Sequence, residues 1–145
     1  MKTINDSMIK DHRRCDEIFV AMEQAIMQHS WPEAEQLCRD FTLAMEHHFK
    51  IEEELLFPLL LKATAAAREP VNAMLMEHAH MRHLILQLTD LLYNMSTTLS
   101  AGYVETLFVT MQQHNMKEES ILYPMADKVV PDAGDVIAKA YSESA

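Results

Sequence analysis

Glycine and proline are scarce. Only 2 Gly and 5 Pro stand among 145 residues, too little turn material for the many hairpins of a β-sandwich or barrel. The two cysteines, Cys15 and Cys38, cannot build a disulfide framework, and no C-x-x-C pair offers a zinc or redox motif. Basic residues are outnumbered, 12 against 22 acidic, for a net charge of −10. No run of Lys or Arg could neutralise a row of phosphates, so nucleic acid is not an expected partner. The longest apolar stretch, Leu55 to Leu61, is interrupted by Pro58 and falls far short of the roughly 20 residues needed to cross a bilayer. Asn5 and Asp6 stand where a signal peptide would require an apolar run, so a cytoplasmic protein with no membrane association is expected. Nucleophile elbow, H-E-x-x-H and glycine-rich phosphate loop are all missing, which disfavours an enzyme and leaves the question of activity open.

What is present favours helix: Met, Ala, Leu and Glu dominate. The length suits one domain, 1–145. Apolar positions recur at alternating steps of three and four, the inner seam of packed helices. The first seam is Met8, His12, Cys15, Phe19, Met22 and Ile26. Ser30-Trp31-Pro32-Glu33 then reads as a helix start with a serine cap. A second seam follows, Phe41, Met45, His48, Glu52, Leu55 and Leu59. After Pro70 comes a third, Met74, His78, Met81, Ile85, Leu88, Leu92 and Met95. The fourth is Leu107, Met111, His114, Glu118, Ile121 and Met125, its start blurred by Gly102. The expected fold is therefore all-α, an up-down-up-down four-helix bundle over about 5–128, with a short C-terminal helix at 132–143 that Gly134 weakens.

The chain repeats itself at an offset of 66. Adding 66 takes His12 to His78, His48 to His114, Glu52 to Glu118, Phe57 to Tyr123 and Pro58 to Pro124. A duplicated hairpin keeps apolar seam residues for packing, but identical polar residues within the seam need another reason. The heights of these groups also agree. His12 and His48 each lie 18 residues from Ser30, and His78 and His114 each lie 18 from Ser96. Folding at the two serines collects His12, His48, Glu52, His78, His114 and Glu118 into one layer. An unpaired buried polar group costs roughly 1–3 kcal/mol, and a carboxylate more, so these six satisfy one another or hold a cation. Four imidazoles with two carboxylates suit iron, zinc or manganese.

The strings His48-Phe49-Lys50-Ile51-Glu52-Glu53-Glu54-Leu55-Leu56-Phe57-Pro58 and His114-Asn115-Met116-Lys117-Glu118-Glu119-Ser120-Ile121-Leu122-Tyr123-Pro124, with Asp11-His12 and Glu77-His78 upstream, resemble the hemerythrin HHE cation-binding domain. The resemblance implies a four-helix bundle around two non-haem iron ions. It places His12 and His48 on one iron, His78 and His114 on the other, and Glu52 and Glu118 as bridges. Oxygen-carrying hemerythrins have a histidine four residues after the third-helix ligand and an aspartate five after the fourth-helix one. Arg82 and Glu119 stand there instead, a pattern more similar to di-iron proteins that repair damaged iron–sulfur centres. Three functions follow as expectations: iron handling, iron–sulfur-centre repair or stress response, with a client iron–sulfur protein as partner; reversible binding or sensing of O2 or NO; or a metal-independent helical interaction module.

The remaining polar residues are expected to be peripheral. His80 and His83 face away from the layer, His47 is off the seam, and His29 ends the first helix. Glu53 and Glu119 lie about 100° off the seam and read as solvated or helix-pairing charges. Asp16 and Arg82, related by the same offset, read as an ion pair or as partners of ligating histidines at the edge of the site, with Asp16 also a conceivable extra ligand. An arginine there would attract anions. Cys15 and Met81 read as filler, and Pro58 and Pro124 as kinks or helix ends.

Overall fold

A computed structural model describes residues 2–143. Helices α1 (Ile4–Met27) and α2 (Trp31–Ile51) form one hairpin, and α4 (Arg68–Tyr93) and α5 (Thr97–Lys117) the other. Helix α2 continues through a π-helical turn, Glu52–Leu56, into α3 (Phe57–Ala63), and α5 through a second, Glu118–Leu122, into α6 (Tyr123–Val129). Helix α7 (Ala133–Glu143) folds back along α1. This is the expected all-α bundle with its short C-terminal helix. The described residues contain no strand, and no helix among them is long and apolar enough to cross a membrane.

Both hairpins turn in the same way. His29 (φ 56°) and Met95 (φ 53°) take left-handed backbone. The next amide, Ser30 or Ser96, donates to a carbonyl five residues back, Ala25 or Leu91. This is the Schellman closure, usually built with glycine. Met95 is therefore not the last seam residue; it is 60 % exposed beyond the helix. Ser30 does precede α2, yet its side chain makes no capping bond. Helix α4 starts two residues before Pro70, which sits in its first turn, and Gly102 lies inside α5.

The seams of the second and fourth helices shift by one residue where they cross the π-helical turns. Leu56 and Leu60 are buried in place of Leu55 and Leu59, and Leu122 and Ala126 in place of Ile121 and Met125. The prolines explain the slip. Pro58 and Pro124 have no N–H to give to the carbonyls of Glu54 and Ser120, and one residue earlier the amides of Phe57 and Tyr123 donate five residues back, to Glu52 and Glu118. One extra residue enters the turn, and helical conformation continues past both prolines, so neither ends its helix. Phe57 and Tyr123 thereby turn inward, 2 % and 0 % exposed.

Two apolar clusters fill the bundle, one around Phe19, Phe41, Leu88 and Leu107, the other around Ile4, Leu56, Leu60 and Leu122. The polar layer lies between them. At the second cluster, Asp127 of α6 accepts from the amides of Ile4 and Asn5 (2.7 and 3.1 Å) and so caps α1. Gly134 is required by close approach: a Cβ there would stand 2.1 Å from the Lys2 carbonyl oxygen.

The one-residue slip is directly testable. Leu122→Ala should cost about 2–5 kcal/mol, as for a buried leucine, and Ile121→Ala, at a side chain 55 % exposed, about 1 kcal/mol or less. Urea unfolding of the two variants measures this; equal costs, or the reverse order, would contradict the shifted seam.

Candidate metal centre

All six residues picked out by the repeat meet in the layer. His12, His48, Glu52, His78, His114 and Glu118 are each at most 4 % exposed. His12 and His48 bring their ring centroids to 4.6 Å, and His78 and His114 to 5.0 Å. Two groups of donor atoms could each hold a cation: Glu52, His78, His114 and Glu118, and His12, His48 and Glu118. Glu118 belongs to both.

The orientation of the rings follows from carboxylates that also obey the repeat. His48 Nδ1 donates to Asp11 Oδ2 (2.8 Å), and His114 Nδ1 to Glu77 Oε1 (2.8 Å). His12 Nδ1 donates to Glu119 Oε2 (2.7 Å), and His78 Nδ1 to Glu53 Oε2 (2.6 Å). Each bond fixes a proton on the outer nitrogen and turns Nε2 inward as a lone pair, the arrangement that prepares imidazole for a metal. An outer ring of cations completes three of the four pairs: Arg14 on Asp11 (2.7 Å), Arg82 on Glu53 (3.0 Å) and Lys117 on Glu77. Glu53 and Glu119 are thus partners of histidines, not solvated charges. An angle about their own helix does not reveal this role, because their carboxylates reach sideways to a neighbouring helix.

Arg82 also pairs with Glu46 (2.8 Å) and lies over the Phe49 ring at 4.9 Å. Its guanidinium is committed to two carboxylates, so it is not a free anion-attracting charge. Asp16 instead accepts from Gln112 (3.3 Å); it makes no pair with Arg82 and belongs to neither donor group. Cys15 is buried filler, its thiol pushed up to about 11 chiefly by burial. His80, His83 and His29 are exposed. Two tyrosines join the layer without having been expected there. The Tyr123 hydroxyl shares its proton between Glu52 Oε2 (2.7 Å) and Glu118 Oε1 (2.9 Å). That of Tyr141, from α7, lies 3.1 Å from His48 Nδ1 and donates to Met8 Sδ (3.3 Å). The proline after Tyr123 is the available signal for the first; no periodicity places Tyr141.

The donor set fits a cation. His78 Nε2, His114 Nε2, Glu52 Oε1 and Glu118 Oε2 are buried without any hydrogen-bond partner. His78 Nε2 lies 3.0 Å from Glu52 Oε1, and His12 Nε2 lies 3.1 Å from His48 Nε2. Facing lone pairs at such distances repel unless a proton or a metal ion stands among them.

Without metal, the electrostatics of the layer favour protons on His12, His48 and His114. Burial opposes charge on His114, but Glu118, Glu52 and Glu77 outweigh it and raise its pKa to about 9. Burial likewise opposes the charge on Glu52, yet chiefly His48 holds its carboxyl well below the usual range. His12 and His48 are also raised, against burial, by Glu118 with Glu119 and by Glu52 with Asp11.

A folded pKa above the unfolded value near 6.5 gives stability that is complete below about pH 6.5 and lost as pH climbs through the folded value. The chelator-treated protein should therefore lose melting temperature between pH 6.5 and about 9, while metal should bind more tightly over that interval because it no longer competes with protons. Thermal melts with and without metal across that range test it; a metal-free melting temperature that rises instead would refute the protonated layer.

No curated protein and no solved structure matches the chain. The model of the hemerythrin HHE cation binding domain matches residues 3–126. The match takes in both π-helical turns and all six inward histidines and glutamates, and the chain belongs to the hemerythrin HHE cation-binding family.

Proposed function

We propose that the layer holds two iron ions and that the protein works in iron handling, as a labile, redox-active centre for repair of iron–sulfur centres or for the response to oxidative and nitrosative stress. His12 and His48 would hold one ion, His78 and His114 the other, with Glu52 and Glu118 between them. Bound iron would supply one-electron chemistry and affinity for small ligands such as O2 or NO. The observation that carries this reading is at Arg82. One helical turn beyond His78, where a fifth histidine would close the set, the side chain is a guanidinium tied to Glu46 and Glu53. Four histidines and two carboxylates leave coordination positions without protein donors, which favours exchange and donation of the metal over permanent retention.

The rest of the chain acts on this centre by orientation and exclusion. The four outer carboxylates hold every Nε2 inward. Phe49 stacks on His78 at 4.0 Å between centroids, and the two apolar clusters exclude water from either side of the layer. Zinc and manganese suit the same donors. A client iron–sulfur protein is the partner this reading requires.

The second reading, reversible binding or sensing of O2 or NO, rests on the same open positions. The experiment that ranks the two is anaerobic reconstitution with ferrous iron followed by chelator challenge. Two irons per chain are expected, a lower melting temperature after chelation, and release at least about tenfold slower from Arg82→His than from the natural chain. Equal release rates, together with a long-lived reversible O2 adduct, would put oxygen binding first. Binding of far fewer than two irons, unaffected by Glu52→Ala with Glu118→Ala, would leave only a metal-independent helical module.

A further inference from the structure

The two halves of the layer are not alike, and one of the differences is an oxygen atom. The offset of 66 relates Tyr123 to Phe57 and Asn115 to Phe49. At the His78–His114 half, four donors are supplied by His78, His114, Glu52 and Glu118, and both phenylalanines stack against His78, at 4.0 and 5.8 Å between centroids. At the His12–His48 half the donor group counts three, His12, His48 and Glu118. Into that half projects the Tyr123 hydroxyl.

Its position is that of a ligand. Two neighbouring donors bound at about 2.1 Å to one six-coordinate cation lie roughly 3.0 Å apart. His12 Nε2 and His48 Nε2 are 3.1 Å apart, and His12 Nε2 and Glu118 Oε1 also 3.1 Å. The Tyr123 oxygen lies 3.1 Å from His12 Nε2, 3.3 Å from His48 Nε2 and 2.9 Å from Glu118 Oε1. All five separations match neighbouring positions around a single cation. In the metal-free layer the same contacts serve as hydrogen bonds between the phenol oxygen and the two imidazoles, and a cation that took the place of their protons would meet that oxygen already among its donors.

From this geometry we propose that Tyr123 is a further protein ligand, binding as phenolate to the cation between His12 and His48, so that the dinuclear centre is asymmetric in its donors. The inference rests on the layer holding metal as proposed above. On binding, the phenol O–H bond breaks, the oxygen–metal bond forms and the proton leaves to solvent; no electron is transferred. One ion would then be held by His12, His48 and the Tyr123 phenolate and the other by His78 and His114, with Glu52 and Glu118 between them. A phenolate is a hard anionic donor, which favours the higher charge state, so the His12–His48 iron is the one more readily held as Fe3+.

Two measurements test this. The metal-free protein is titrated with zinc and followed by ultraviolet difference absorption. Of the four tyrosines, one should ionise per chain as two zinc ions bind, and Tyr123→Phe should abolish that signal while weakening one of the two binding steps about tenfold or more. The ferric protein, in turn, should show a visible phenolate-to-iron charge-transfer band with resonance-enhanced ring vibrations. That band should vanish in Tyr123→Phe, and Phe57→Tyr should add a second at the other half. Two metal ions bound without tyrosinate absorption in the natural chain would overturn the ligation of Tyr123 and leave the metal centre standing. Failure to bind metal at all would overturn both. A Tyr123→Phe variant whose ferric spectrum matched the natural one would also overturn it. Because the natural chain carries its own signal, the outcome does not depend on that variant folding.

Discussion

Four imidazole lone pairs and two carboxylates face one another across a few ångströms in the middle of an apolar bundle, and nothing else in the fold is as costly to leave unanswered. Every outer feature of the layer exists in relation to that cost. Asp11, Glu77, Glu53 and Glu119 hold the ring protons outward; Arg14, Lys117 and Arg82 hold three of those carboxylates in turn. Charge alternates outward from the centre, so a cation at the middle completes a sequence that is otherwise closed only by protons. The layer also interrupts the hydrophobic core, dividing it into two clusters. Packing alone would have favoured leucine at all six positions.

The layer is legible in the sequence because duplication writes the same polar residue twice, and packing gives no reason for the coincidence. Helix number and order are legible too, since seam residues spaced by three and four leave few alternatives in a chain so poor in glycine. The seams fail after Glu52 and Glu118, where period counting assumes an unbroken α-helix and the chain takes one extra residue. That assumption points Leu55 and Ile121 inward and leaves Tyr123 out of the layer. Tyr141 is beyond reach for a different cause: its place depends on how α7 docks, which is a long-range matter. The paired turns at His29 and Met95 are also hidden, because neither carries the glycine that usually announces left-handed backbone.

The same π-helical turns explain why duplication has not produced symmetry. Each rotates an aromatic residue into the layer, but one repeat brings a phenyl ring and the other a phenol. An oxygen atom, introduced at a position that ordinary helical geometry would have left outside, is one of the differences between the two pairs of histidines. Divergence between the halves of a duplicated protein can thus be chemical while the backbone stays the same.

Docking of α7 bears on how a bound ion could be exchanged. The helix is 11 residues long and reaches the Asp11–His48 side of the layer through Tyr141. Segments so short open at a fraction of the free energy of global unfolding. Lifting α7 would wet His48 and its carboxylate partner while His78 and His114 stayed enclosed. Access to that side of the layer would then be set by a local barrier, lower than the one that holds the whole bundle together.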